Sequence, residues 1–148
     1  MTVLLLIIDQ LTKWYAVAKK PSFDVLGNFF RIHYTENTGT IFGLFEGTNL
    51  IFIVLSVILC FVIAVYMKKE IPKRSFKEKC FALILTGGIG NLIDRIFRGV
   101  VIDYFDFYIL GYDAPVFNLA DTFIVVAMFI LIILQLRGEE NENRSRGK

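Results

Sequence analysis

Residues 50–67 read LIFIVLSVILCFVIAVYM, eighteen positions with no charge and a single Ser, followed at once by Lys68-Lys69. A helix of about that length crosses the hydrocarbon core of a bilayer, so this stretch places the chain in a membrane. The composition of all 148 residues agrees: 55% are hydrophobic, 15% aromatic and only 20% charged, with mean hydropathy +0.60. A soluble domain averages about 45–50% apolar with Gly counted. This composition excludes a disordered chain, a collagen-like chain and a disulfide-stapled mini-protein. A net charge of +2 argues against a nucleic-acid partner. Fourteen acidic residues, several inside or beside apolar runs, are the feature to explain.

Outward from this run, three weaker segments follow. Residues 3–8 are apolar, and Asp9 and Lys13 interrupt before Trp14. Residues 80–93 are apolar around Gly87, Gly88, Gly90 and Asn91, and residues 122–136 follow Asn118 and Asp121. Beside a definite span, these read as helices whose polar ends face other helices or a cavity, because an ionisable group in lipid is costly. The expected fold is an all-α membrane protein. It has four transmembrane helices, at roughly 1–18, 50–67, 80–97 and 119–136, and a small extracytoplasmic β-sheet platform. Residues 1–136 form one domain, and residues 137–148 form a polar cytoplasmic tail expected to be disordered.

Charge placement sets the orientation. Residues 68–79 hold six Lys/Arg against two Glu, and the tail from Arg137 holds four more. The positive-inside bias puts both on the cytoplasmic side, and with four spans both termini lie there. Residues 19–49 and 97–117 are then outside. Within the first, Phe29 to Thr35 is aromatic and β-prone between turn-formers, which suggests a sheet at the outer surface. Ala16-Val17-Ala18 resembles a signal-peptidase cleavage site. However, the apolar stretch before Asp9 is six residues with no preceding Lys or Arg, which argues against a cleaved leader.

The side-chain inventory narrows the chemistry. Cys60 and Cys80 lie in or next to spans, twenty residues apart, and read as small core residues rather than a metal or disulfide pair. His33 is the only histidine, so a His-Glu-x-x-His zinc site cannot form within the chain. No Gly-x-Ser-x-Gly elbow is present. Ala82, Thr86 and Gly90 repeat at helical spacing and make a small-residue face for helix packing. Acidic residues remain, and among them Asp103 lies just past the third span and Asp121 at the start of the fourth. One helix goes out and the next returns, so two carboxylates can meet near the outer surface. A close pair keeps one proton, leaving one acid and one base, the pair needed to activate water and protonate a leaving amine. The alternative is that these Asp residues are solvated or cap helices.

Five motifs in order resemble the lipoprotein signal peptidase family (signal peptidase II). They are Asp9-Gln10-Leu11-Thr12-Lys13, Asn37 through Gly43, Gly87 through Arg95, Val100 through Asp106, and Phe117-Asn118-Leu119-Ala120-Asp121. The resemblance implies an aspartic endopeptidase of the bacterial cytoplasmic membrane. It would cut the signal peptide of a diacylglyceryl-modified prolipoprotein just before the lipidated cysteine, with no metal or organic cofactor. It implies a catalytic pair, Asp103 and Asp121, with Asn37, Asn91, Arg95, Asn118, Asp9 and Lys13 binding substrate or supporting the site. It also implies an outer helical flap. Thr40-Ile41 stands where the family more often has Ala-Ala.

The same residues make physical sense at this spacing. Asp9 and Lys13 sit at i, i+4 on one helix face and can pair. Arg95 could hold a lipid headgroup phosphate or pair with Asp94. Asn118 lies one turn before Asp121 and can point the same way. Asp106 reads as a solvated or structural acid. Phe29, Phe30, Tyr34 and Phe42 read either as contacts for acyl chains or signal peptide, or as an ordinary aromatic belt. The partners expected are the lipidated precursor and membrane lipids. A second reading is a small transporter or channel subunit whose acids line an ion path, although the acids do not recur at helical spacing along one span. A third is an intramembrane aspartyl protease of the presenilin kind. Tyr112-Asp113 is similar to one of its motifs, but no Gly-x-Gly-Asp follows.

Overall fold

The computed structural model describes residues 2–27, 29–39 and 49–146, with the backbone alone for 138–146. Four helices and four strands alternate in blocks: α1 (Thr2–Lys19), β1 (Ser22–Leu26), β2 (Phe30–Asn37), α2 (Asn49–Glu70), α3 (Phe76–Phe97), β3 (Val101–Ile109), β4 (Tyr112–Asp113) and α4 (Leu119–Arg146). The expected helices are all present, and the sheet is antiparallel in the order β1-β2-β3-β4. It is larger than the Phe29–Thr35 reading suggests, because residues 101–109 join it as the longest strand. The fold is therefore mostly helical with a four-stranded sheet, not all-α. Among the described residues no further helix stands over the sheet, so the implied flap has no counterpart there. Phe42 and the Thr40-Ile41 pair lie outside the described residues.

Three helices, α2, α3 and α4 as far as Arg137, are long and apolar enough to cross a membrane. None of the 22 residues of α2 is buried in the protein. Left in water, such a surface would aggregate; in lipid it needs no cover, because a helix satisfies its own backbone. The first helix is built inside out by soluble standards. Its buried residues are Asp9, Lys13 and Ala16, while Leu4, Leu11 and Trp14 are each at least 60% exposed. Charges turned inward and apolar residues turned outward are the pattern lipid imposes.

Without a strong hydrophobic drive between helices in lipid, contact depends on small residues. An added Cβ on Gly87 would stand 2.3 Å from the Ala120 carbonyl oxygen, and one on Gly90 would stand 2.6 Å from Asp9 Oδ2. These two glycines let α3 lie directly on α4 and α1. The small face expected at Ala82, Thr86 and Gly90 is thus realised mainly by Gly87 and Gly90, with Thr86 buried beside them.

Local signals set the helix ends. Ser75 caps α3, its hydroxyl accepting the Glu78 N–H at 3.0 Å, while Glu78 accepts the Arg74 N–H, a close relative of the capping box. At the other end Gly99, at φ +79°, supplies the left-handed residue that turns the chain from α3 into β3. The α4 helix does not stop at Leu136 as expected for a disordered tail. Its backbone stays helical to Arg146, since no Pro interrupts a helix already nucleated by the apolar run. A small cluster of Ala16, Ile102 and Tyr104 binds α1 to the sheet. The Tyr104 hydroxyl shares a 2.9 Å hydrogen bond with Thr12 and accepts the Leu119 N–H at 3.3 Å. One phenol thereby ties β3 to α1 and to the start of α4.

Candidate active site

Asp121 occupies the first turn of α4, and Asn118 is the residue before that helix begins. The two cap each other. Asn118 Oδ1 accepts the Asp121 N–H at 3.0 Å, and Asp121 Oδ2 accepts the Asn118 N–H at 3.1 Å. This is a capping box with Asp in the third position, so the helix-capping reading of Asp121 is correct as far as it goes. It does not exhaust the residue, because Asp121 Oδ1 also accepts the Asn91 amide at 2.7 Å.

Asp103 comes from β3 and is 2% exposed. Its Oδ1 accepts Asn118 Nδ2 at 2.7 Å, and its Oδ2 accepts Asn37 Nδ2 at 2.9 Å. Asn37 lies at the end of β2, opposite Val101 in the ladder, and its Oδ1 takes the Gly39 N–H at 2.8 Å, an Asx turn that fixes which way its amide faces. Asn118 therefore holds both carboxylates, one through its side chain and one through its backbone. The carboxyl of Asp103 is pushed up to about 6, first by burial and then by the nearby Asp121 charge; the hydrogen bonds from Asn37 and Asn118 and the more distant Lys13 charge oppose the rise.

Behind the two acids lies a buried ionic cluster. Lys13, with no exposure, stands 3.2 Å from Asp9 and 3.1 Å from Asp94, and donates to Asn91 Oδ1 at 2.8 Å. The expected Asp9–Lys13 pair is therefore present. The expected Asp94–Arg95 pair is not: Asp94 pairs with Lys13 and with Arg98 one turn further on. Adjacent helical residues point in different directions, whereas i, i+4 neighbours share a face. Asp94 Oδ2 also accepts the Ile102 N–H at 3.1 Å, and Asp9 Oδ1 accepts the Ala120 N–H at 3.0 Å. The cluster thus anchors the starts of β3 and α4, which carry Asp103 and Asp121.

Among the described residues Arg95 makes no ion pair, but it lies near enough to Asp121, Asp103 and Asp94 to interact with their charges, with its guanidinium 5.2 Å from the Phe52 ring centre. Asp106 is buried against Arg31 at 2.8 Å and is structural rather than solvated. The structure thus brings Asn37, Asn91, Asn118, Asp103, Asp121, Asp9 and Lys13 into one connected network. Sequence reasoning named Asp94 as an ion-pair partner but missed Arg98 and Gln10, which close the cluster: Arg98 donates to Gln10 Oε1 and Gln10 Nε2 donates to Asp9 Oδ2, both at 3.1 Å. The Asp94–Arg98 spacing was visible, but nothing local said that Lys13 would reach Asp94.

Apolar helices that turn their charges inward around two carboxylates define an integral membrane protein with a buried acidic site. The family model of signal peptidase (SPase) II matches residues 1–137, and the chain belongs to that family, a family of proteases. It is 35% identical to a lipoprotein signal peptidase of Halalkalibacterium halodurans, with 96% of this chain and 93% of that one covered. It is 30% identical to a lipoprotein signal peptidase of Staphylococcus aureus, covering 99% and 91%. Two solved bacterial membrane enzyme structures, obtained by the in meso method, share the fold. One has a TM-score of 0.82 at 31% identity, covering 95% of this chain and 87% of that one. The other has 0.83 at 30%, covering 91% and 89%. These matches give no support to the transporter reading.

Proposed function

We propose that this protein is an aspartic endopeptidase that removes the signal peptide from diacylglyceryl-modified prolipoproteins, cutting on the N-terminal side of the lipidated cysteine. The observation that carries the reading is the Asn118 bridge, which joins Asp103 and Asp121 into one hydrogen-bonded unit. Asp121 lies in the first turn of a helix, where the dipole favours negative charge, and accepts two N–H groups. It serves as the base. Asp103 is the more deeply buried and holds the proton of the pair.

The reaction balances with these groups alone. Asp121 takes a proton from water as its oxygen bonds to the carbonyl carbon preceding the cysteine. The tetrahedral intermediate then collapses, the C–N bond breaks, and Asp103 gives its proton to the leaving amine. The products are a signal-peptide carboxylic acid, which loses its proton to solvent, and a free amine on the lipidated cysteine; the proton on Asp121 then returns to Asp103. No metal or cofactor enters.

Substrate reaches the site sideways from the bilayer. An apolar groove of about 460 Å3, lined by α2, α3 and α4, includes Gly88 and Ile124, about one helical turn from Asn91 and Asp121. In this reading α1 is the fourth span, both termini are cytoplasmic and the two acids lie near the outer face. Residues 137–148 are the cytoplasmic tail of the 1–136 domain. Among the described residues, Arg95 is a cation placed to meet a substrate carbonyl or lipid phosphate beside the two acids.

The test is cleavage of purified prolipoprotein, with and without its diacylglyceryl group. The lipidated precursor should be cut and its unlipidated twin refused, a difference of about 100-fold or more in kcat/KM, since binding energy from remote parts of a substrate drives the chemical step. Equal rates would remove lipid recognition from the account.

A further inference from the structure

We propose that Lys13 is a positioning residue of this site: it holds the Asn91 carbonyl inward and, through the Asn91 amide, the placement of Asp121. The inference rests on the reading above and adds a role for a residue that otherwise only balances charge.

An ammonium has three N–H donors and no acceptor. Lys13 has three acceptors within reach: Asp9 Oδ2, Asp94 Oδ2 and Asn91 Oδ1. The shortest of the three contacts, 2.8 Å, is to the neutral amide. Charge balance against Asp9 and Asp94 does not require that contact. Its consequence is directional. The Asn91 atom beside an ammonium must be the carbonyl oxygen, so the NH2 group must face outward, where it donates to Asp121 Oδ1 at 2.7 Å. The same carbonyl accepts Asn118 Nδ2 at 3.1 Å, and that nitrogen also donates to Asp103 Oδ1 at 2.7 Å. Asn118 is oriented by its own cap, since its Oδ1 accepts the Asp121 N–H at 3.0 Å; at Asn91, Lys13 holds the carbonyl inward while Asp121 takes the NH2. Without the ammonium, the Asn91 carbonyl keeps only the 3.1 Å bond from Asn118 Nδ2, and the amide is held less firmly against Asp121.

The charged and titratable groups around this chain come from every element packed on it. They are Asp9 from α1, Asp94, Arg95 and Arg98 from α3, Asp103 and Tyr104 from β3, and Asp121 from α4. The positive charge at Lys13 favours the ionised form of Asp103. Its loss should move the pH dependence of cleavage upward as well as slow it.

Lys13→Met alone leaves two buried carboxylates short of a partner, so the decisive variants keep the charge balanced. Lys13→Met/Asp9→Asn and Lys13→Gln/Asp9→Asn have the same net charge and differ in the donor offered to Asn91. With lipidated precursor in nanodiscs, the Met pair should lower kcat about 10–100-fold, the range typical of groups that orient a site residue, with KM within about twofold. The Gln pair should recover most of that loss. In an Asn91→Ala background, replacing Lys13 should cost little more, because the two act in series. Equal kcat for the Met and Gln pairs, or wild-type kcat for the Met pair, would overturn the proposal. If the Met pair does not fold, the Gln pair decides: kcat within tenfold of wild type supports positioning, and a larger loss refutes it. Asp103→Asn, run alongside, reports separately on the aspartic mechanism.

Discussion

Asp103→Asn and Asp121→Asn should each lower kcat on lipidated prolipoprotein by about 10²–10⁴-fold, the contribution general acid–base groups make, with KM little changed. The reasoning is steric as well as chemical. Asn is the size of Asp, and each position is held by two asparagines, Asn37 and Asn118 for Asp103 and Asn91 and Asn118 for Asp121, so the backbone framework should survive. What is lost is the proton inventory. An amide at 121 cannot take a proton from water, and an amide at 103 cannot give one to the departing amine. Each change also sets NH2 against a donor. Both Asp103 oxygens accept amide nitrogens, from Asn37 and Asn118, and both Asp121 oxygens accept N–H groups, from Asn91 and Asn118. One of those bonds must break in each variant. Steady-state kinetics on the purified protein, with substrate binding measured in parallel, checks this. Retained turnover in either variant removes the dyad.

The largest effect on stability should come from Asp94→Ala, a residue with no direct contact to either acid. Asp94 is fully buried, pairs with Lys13 and Arg98, and accepts the Ile102 N–H. Its removal leaves the buried Lys13 ammonium with Asp9 as its one carboxylate and strips a buried backbone N–H of its partner. Breaking a buried ion pair from one side costs about 3–5 kcal/mol. Asp94→Asn should cost less, since its amide oxygen can still accept from Ile102. Reversible unfolding in mixed micelles measures both. A loss below about 1 kcal/mol for the Ala variant, the size of an exposed pair, would show that the cluster is solvated.

Much of this was legible in one chain, and the limits are physical. The apolar run at 50–67 gave α2 because lipid imposes a length and forbids charge. The i, i+4 spacing gave the Asp9–Lys13 pair, and the one-turn spacing gave the Asn118–Asp121 pair, because a single helix fixes both geometries. The strand at 101–109 was hidden by its own chemistry. Its first residues, Val101 to Tyr104, are buried throughout, so it shows no simple in–out alternation, and its two buried acids break the apolar run. The partner of Asp94 was misjudged for a related reason. Arg95 is next in sequence, while Lys13 is 81 positions away, and only the close approach allowed by Gly87 and Gly90 brings it there. Local rules found the pieces of the site; the tertiary contacts of α3 joined them.

The central claim is that Asp103 and Asp121 share one proton and that cleavage needs it on Asp103. The pH dependence of kcat/KM for lipidated precursor tests this most directly. Burial and the Asp121 charge raise Asp103 to about 6. The acid is competent while protonated, so kcat/KM should fall as pH rises through that region, by about a decade per unit beyond it, the limb belonging to the pair as a unit. A profile flat from about pH 5 to 8, or one whose only descending limb lies in the alkaline range of a lysine or tyrosine, would contradict it.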